Sequence, residues 1–308
     1  MRGLLVVNPR ATTTSTRVTD VLVHAFSDEL DLEVVVTTHR GHARVLGERA
    51  LDEHLDVIVT LGGDGVIHEV VNGLLRDGPS PTVPALATVP GGSGNVFARA
   101  LGLPADPVEA TGELLDAVRQ GRTRTVGLGR ADDRWFIANA GLGLDAEIIE
   151  AMDAQRRAGH TATPLRYLTT TLTQLFRRTD RRHPRLRAER PGHPPVEGVH
   201  VAIVQNQSPW TYFGSWPLDP SPHASFDTGL DLFAVRDLSL PVALLAARRI
   251  LAHSSAGSSK RAFLVWHDQG EFTITAARPT PLQLDGESLG PVDAVRFVAV
   301  PDALRVYH

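Results

Sequence analysis

A single carboxylate, Asp64, stands inside the run Gly62-Gly63-Asp64-Gly65, and a second glycine-dense run, Gly91-Gly92-Ser93-Gly94-Asn95, follows further along the chain. Each comes after a short apolar segment, Val57 to Leu61 and Pro84 to Val89, and the first leads into apolar residues at helical spacing. Strand, glycine turn and helix N-terminus make an anion cradle, because leftover backbone N–H groups and the helix dipole point at one spot. The same pattern also serves a plain βα turn. Two such turns after successive parallel strands gather on one sheet edge, which favours a phosphate-bearing ligand. An acid inside a phosphate cradle is repelled unless Mg²⁺ bridges the two, or unless it draws a proton from an attacking hydroxyl. Asp64 therefore points to a metal–nucleotide complex. Neither G-x-x-x-x-G-K-[ST] nor G-x-G-x-x-G occurs, so the turns are not a P-loop or a dinucleotide fingerprint. His68 follows the first turn, either touching phosphate or simply starting the helix. The histidines offer no H-x-x-x-H or H-E-x-x-H metal motif.

The elements that must position these turns follow from periodicity. Gly3 to Val7 is a continuous apolar run, as are the segments before the two turns, and such runs suit parallel strands covered on both faces. Strands at Gly3–Val7, Leu32–Thr37, Val57–Leu61 and Pro84–Val89 alternate with helices at Thr16–Leu30, Gly41–Leu51 and Ile67–Leu75. That order predicts a doubly wound α/β sheet. A further helix is expected around Val108–Arg119. From Thr123 the character turns to β: strands are expected at Thr125–Arg130, Arg134–Ala140, Val199–Gln205, Leu230–Arg236, Ala262–His267, Glu271–Ala276, Pro281–Leu284 and Val295–Val300. Turn signals such as Asp285-Gly286 suit antiparallel hairpins. Two helices interrupt, Leu165–Phe176 and Leu240–His253. The expected domains are 1–122, α/β, and 123–308, mainly antiparallel β, with Arg296–Tyr307 able to return to either.

At 308 residues, 42% hydrophobic and 21% charged, the chain has the composition of a globular protein with real cores. A net charge of −4 argues against bulk nucleic-acid binding. There are no cysteines, which removes thiolate chemistry and disulfides. The apolar run after Met1 is too short for a signal peptide. The longest apolar run, Leu238 to Ala247, contains Pro241 and meets Arg248-Arg249, so no membrane span is expected. The expected setting is cytoplasmic, with transient, peripheral membrane contact. Arg177 to Arg190 holds seven arginines, either a solvated loop or a dock for anionic headgroups. Trp210, Tyr212, Phe213 and Trp216 line a lipid entrance, lie at a membrane interface, or pack in a core.

Taken together, Gly62-Gly63-Asp64-Gly65-x-x-His68-Glu69-Val70-Val71-Asn72-Gly73-Leu74 resembles the signature of the diacylglycerol kinase and sphingosine kinase superfamily. Asn8-Pro9, Thr37 before Gly41-His42-Ala43, Pro90 to Asn95, Gly143-Leu144-Asp145-Ala146-Glu147 and Asp285-Gly286-Glu287 match in family order across essentially the whole chain. The resemblance implies a lipid kinase with ATP on the N-terminal domain, lipid on the C-terminal domain and chemistry in a cleft. It implies that Gly62, Gly63, Asp64, Gly65, His68, Gly92, Ser93, Gly94 and Asn95 surround the ATP phosphates, with Asn8, Pro9 and Thr37 around the nucleotide. Ser93 replaces the family's usual threonine. Arg157 and Arg166 would clamp phosphate, and Asp285 would stand on the nucleotide side. Asp145 would contact a substrate amine or cap a helix. Glu287 would be the general base, with Asp64 as its rival or as a Mg²⁺-linked acid. Asp227 would be the retained half of a structural Mg²⁺ site. The family's Asn-Pro-x-Ser-Gly reads Asn8-Pro9-Arg10-Ala11-Thr12, its second aspartate before Gly-Leu is Thr228, and its acid after Asn95 is Val96.

The expected activity is transfer of the γ-phosphoryl of ATP, with Mg²⁺, to a hydroxyl of diacylglycerol, a sphingoid base or a similar lipid. A homodimer is compatible with this. The rivals are a kinase of a soluble substrate, since NAD kinases share a Gly-Gly-Asp-Gly turn, and a binding protein without catalysis.

Overall fold

The computed structural model describes residues 1–12, 16–158, 164–252 and 261–308. Two compact units divide them: Met1–Leu128 with Pro301–His308, and Gly129–Val300.

In the first unit β1 (Arg2–Val7), α1 (Thr16–Ser27), β2 (Asp31–Val36), α2 (His42–Asp52), β3 (Val57–Gly62), α3 (Asp64–Leu74), β4 (Ala85–Pro90), α4 (Val96–Ala100) and α5 (Pro107–Gln120) follow one another. β1 pairs in parallel with β2 and β3, and β3 with β4, giving the order β2-β1-β3-β4. The returning C-terminal segment adds Val306 beside Leu86, also in parallel. β3 and β4 are buried along their whole length, as continuous apolar runs require, while β2 is the exposed edge. Strand order reverses between β1 and β3. Their carboxyl ends therefore flank the topological switch point, where open α/β sheets bind ligands. Helices α2 and α3 approach closely through two glycines: a Cβ on Gly73 would collide with the Arg44 carbonyl oxygen, and one on Gly47 would lie 2.5 Å from the Val70 oxygen. Asp106 caps α5 by accepting from the Val108 and Glu109 N–H groups at 2.8 and 3.0 Å.

The second unit begins inside β5 (Thr123–Ala131), after Leu128. There follow β6 (Arg134–Phe136), β7 (Asn139–Gly143), α6 (Leu144–Arg157), α7 (Pro164–Thr173), a π-helical turn (Gln174–Arg178), β8 (Leu186–Glu189), β9 (Val196–Val199), β10 (Val201–Gln205), β11 (Thr211–Phe213), β12 (Trp216–Leu218), β13 (Leu230–Val235), α8 (Leu240–Ala252), β14 (Phe263–Gln269), β15 (Glu271–Leu284) and β16 (Glu287–Tyr307), whose last residues belong to the first unit. β14, β13, β10, β7, β15 and β16 pair antiparallel in that order. Phe297 meets Phe136 edge-on and Phe272 at a tilt in the core, with ring centroids 6.1 and 5.3 Å apart.

Several elements differ from the sequence expectation. α6 is a third helix. Leu144, Ile148 and Met152 recur every four residues on it and bury against the β10 and β13 residues Ile203 and Phe233. The expected strand Arg134–Ala140 is split into β6 and β7, because the Asp285 carboxylate takes the N–H groups of Ile137, Ala138 and Asn139. The segments Glu271–Ala276 and Pro281–Leu284 are one strand, β15, with a register break between Thr275 and Thr280. The arginine-rich stretch is not all loop: it includes part of the π-helical turn and all of β8. The aromatic segment forms the β11–β12 hairpin, whose Phe213 and Trp216 are 53% and 59% exposed, so neither packs in a core. His253, the expected end of the last helix, lies outside the described residues.

Candidate functional site

The two glycine turns are in contact. β3 ends at Gly62 and β4, paired with it, at Pro90, so the following turns leave the same edge of the sheet. The Gly91 N–H donates to the Gly62 carbonyl at 2.7 Å. A Cβ on Gly92 would lie 2.6 Å from the Gly63 Cα. Only glycine at these positions lets the two backbones meet so closely. Asn95, at φ 48, closes the second turn: its side-chain oxygen accepts the Gly92 N–H at 2.8 Å and its amide donates to the Gly92 carbonyl at 2.7 Å. Ser93, at the turn's tip, is exposed.

Asp64 ties the turns together. It opens α3, and its two oxygens accept the N–H groups of Val96 and Phe97, each at 3.0 Å. One carboxylate thus caps α4 from the neighbouring turn, which offsets that helix's positive end. Gly94 packs beside the same carboxylate, and Gly65 continues the first turn of α3. Asn8, followed by Pro9, sits at the end of β1. Its N–H donates to the Leu61 carbonyl at 3.0 Å and its side-chain oxygen accepts the Arg10 N–H at 3.0 Å. Thr37, just past β2, donates its N–H to the Val7 carbonyl at 2.8 Å, with its hydroxyl 3.3 Å from the same oxygen. The first unit thus places Asn8, Thr37, Gly62–Gly65 and Gly92–Asn95 at the carboxyl ends of its strands.

His68 is placed differently from expectation. It is 5% exposed, with Nε2 3.4 Å from the Asn72 amide nitrogen, because its position on α3 faces packing rather than the exposed turn. Glu69, which carried no expectation, accepts the Gly41 and Ala43 N–H groups at 2.8 and 3.1 Å and caps α2. Both of its partners lie far back in the sequence, so no local spacing announces the cap.

The second unit gathers the remaining candidates. Asp285 and Gly286 have φ 49 and 80, and Leu284 pairs with Glu287, so Asp-Gly forms a two-residue hairpin loop between β15 and β16. Glu287 is the first residue out of that loop. The Asp285 carboxylate accepts three N–H groups, from Ile137, Ala138 and Asn139, at 2.8 to 3.1 Å. That is a structural tie within this unit. Asp145, in the first turn of α6, is 6% exposed and rests on Gly141, where a Cβ would overlap its carboxylate. Burial pushes its carboxyl up to about 6, against a stabilising hydrogen bond from Gln283 Nε2 at 2.9 Å. Gln283 also donates to the Asn139 side-chain oxygen at 3.1 Å and accepts the Gly286 N–H at 2.9 Å. Neither Gln283 nor Asn139 belongs to a sequence motif considered above.

Arg166 lines a groove of about 420 Å³ with Arg178, Gln155, Thr169, Thr170 and Thr173. The side chain of Arg157 lies outside the described residues. Asp227 is exposed, its N–H bonded to Ser225 Oγ at 3.2 Å. The buried carboxylate nearby is Asp231, which meets His267 Nδ1 at 2.8 Å and the Asp268 N–H at 3.0 Å. Among the described residues no three His, Asp or Glu side chains are grouped to hold a metal ion. Among them, too, no helix is long and apolar enough to cross a membrane.

Comparison with known proteins agrees with this geometry. A diacylglycerol kinase of Staphylococcus aureus (strain JH9) is 35% identical over 118 residues, which cover 38% of this chain and 35% of the relative's length. The aligned stretch thus spans about a third of that protein. A crystal structure of a putative diacylglycerol kinase from Bacillus anthracis superposes with a TM-score of 0.76 at 21% identity, covering 100% of this chain and 97% of the other. An NAD kinase from Archaeoglobus fulgidus, solved in complex with ATP, gives a TM-score of 0.53 at 13% identity, covering 100% and 94%. At these identities the two structures speak for the fold. The diacylglycerol kinase catalytic domain family itself matches residues 2–131, the region that carries the paired glycine turns.

Proposed function

We propose that the protein transfers the γ-phosphoryl group of ATP to a hydroxyl of a lipid such as diacylglycerol or a sphingoid base. The observation that carries this reading is the pair of touching glycine turns beside the switch point, in the region that matches the diacylglycerol kinase catalytic domain family. In it, Gly62–Gly65 and Gly92–Asn95 receive the phosphates, and Asn8, Pro9 and Thr37 border the nucleotide. Asp64 acts by position: each of its oxygens already takes a backbone N–H, so it holds the two turns at their spacing. Glu287 is the better candidate for the base. It takes the proton from the lipid hydroxyl while the hydroxyl oxygen bonds to the γ-phosphorus and the bond to ADP breaks. Mg²⁺ enters this reading as the counterion of the ATP phosphates.

The lipid source is a membrane surface met by the second unit. Phe213 and Trp216 are exposed on the β11–β12 hairpin, and Leu240, Leu244 and Leu251 are exposed on α8. α8 carries an exposed Arg248 and no carboxylate, while Arg249 is buried against Phe233; the exposed leucines beside Arg248 suit an anionic lipid interface.

The test is incubation of the intact protein with ATP and Mg²⁺, against lipid extracts in one arm and sugars and NAD in the other, read by mass spectrometry. A lipid product heavier by one phosphoryl group is expected. A phosphorylated soluble acceptor alone would make this a soluble-substrate kinase, and ATP binding without any product would make it a non-catalytic relative.

A further inference from the structure

Gln283 is a buried amide, 2% exposed, between Leu282 and Leu284 in the core of the second unit. A polar side chain there has to be fully bonded, and it is. The direction of each bond is fixed by chemistry. The Trp210 carbonyl can only accept, so Asn139, whose amide nitrogen is 3.1 Å away, must turn Nδ2 towards it. That leaves the Asn139 Oδ1 facing Gln283, which must answer with Nε2, 3.1 Å away. The same Nε2 meets the Asp145 carboxylate at 2.9 Å. The Gln283 Oε1 is then the only end left, and it takes the Gly286 N–H at 2.9 Å. Reversing the amide would set Oε1 against two oxygen atoms and Nε2 against an N–H.

We infer that Gln283 is a positioning residue for the acceptor side of the reaction: its amide couples the buried Asp145 and Asn139 side chains to the Asp285-Gly286 loop, and so fixes where Glu287 emerges. The inference rests on the reading of Glu287 as the base. The loop is held from two sides. The Asp285 carboxylate grips the segment Ile137–Asn139 and the Gln283 oxygen grips Gly286, so both loop residues are tethered to β7 or to its neighbours. Removing the second tether leaves the loop able to pivot on Asp285, and a displacement of about 1 Å at a reacting group costs on the order of 100-fold in rate.

Three substitutions read this out in the intact protein. Gln283→Glu replaces the Nε2 donor by an oxygen facing Asp145 and Asn139, and two carboxyl groups at that distance share a proton. Its kcat is expected to fall about 10–100-fold at pH 8 and to recover in part as the pH is lowered, with the KM for ATP unchanged. Adding Asp145→Asn to Gln283→Glu restores an N–H facing the new carboxylate, and is expected to regain part of the lost kcat at pH 8. Gln283→Met removes the acceptor for Gly286, so the Gly286 amide is expected to exchange with solvent at least about 10-fold faster, whether or not any lipid is turned over. Wild-type kcat in a folded Gln283→Glu protein, a loss that the paired substitution leaves untouched, or unchanged exchange at Gly286 would each overturn the inference. A wild-type protein that phosphorylates no lipid would instead refute the proposed function, while the exchange measurement would still decide the role of Gln283.

Discussion

The buried Asp145 carboxyl makes a prediction that can be worked through in numbers. Burial raises it from its ordinary 3.8 to about 6, and the hydrogen bond from Gln283 is too little to reverse this. The folded state therefore binds this proton more tightly than the unfolded chain. The group's contribution is most favourable at low pH and is lost as the pH rises from about 4 through about 6. Above that window the ionised, buried carboxylate costs the fold about 3 kcal/mol, taking about 1.4 kcal/mol for each unit of displacement. Asp145→Asn removes the charge but keeps a side-chain oxygen that can accept from Gln283 Nε2. The variant should therefore be more stable than the wild type by up to about 3 kcal/mol at pH 8, and by less than about 1 kcal/mol near pH 4. In a thermal melt of a unit this size, that is a rise on the order of 5–10 °C at pH 8. Melts of the two proteins at pH 4, 6 and 8 measure it. The same melting temperature at pH 8 would refute the argument by showing the carboxylate charge-compensated inside the fold. A gap that does not narrow towards pH 4 would refute it by showing a gain that does not depend on ionisation.

Three further outcomes are expected. Glu287→Gln should keep ATP affinity and lose about 10²- to 10⁴-fold in kcat, and near-normal turnover in a lipid-kinase assay would move the base elsewhere. Asp64→Asn keeps one acceptor for α4 and loses the other; it should cost roughly 0.5–2 kcal/mol of stability and weaken ATP binding while leaving the pH optimum in place. A shifted optimum would assign the proton to Asp64. Gly73→Ala drives a methyl into the Arg44 carbonyl and should destabilise the first unit by about 1–3 kcal/mol, seen as a lower urea midpoint; an unchanged midpoint would show that α2 and α3 part freely.

Much of the first unit could be read from the sequence because its signals are local. Continuous apolar runs at Gly3–Val7 and Val57–Leu61 are buried parallel strands, and glycines after β3 and β4 mark the turns. What was not legible depends on partners remote in sequence. The close approach of Gly63 and Gly92 and the cap that Glu69 provides for α2 exist only once strands and helices are in place. In the second unit the break between β6 and β7 is made by Asp285, more than a hundred residues later, so propensity over Arg134–Ala140 could not reveal it. α6 was obscured for a different reason. Its apolar positions Leu144, Ile148 and Met152 follow directly on a strand that ends at Gly143, so no turn separates the two elements.

The acids teach the same lesson in a form that bears on mechanism. Asp64, Glu69 and Asp285 all stand beside glycine or histidine in runs that invite a chemical role, yet each accepts two or three backbone N–H groups from a distant segment. A carboxylate committed in this way lowers the energy of helix starts and turns that would otherwise carry uncompensated donors. Replacing any of the three disturbs the turn or loop it holds, and activity falls whether or not the residue touches a reacting atom. Lost activity therefore cannot choose between Asp64 and Glu287. The pH dependence can, because a base imposes its own titration on the rate, whereas a tie that is already ionised at the working pH lowers the rate without moving the profile.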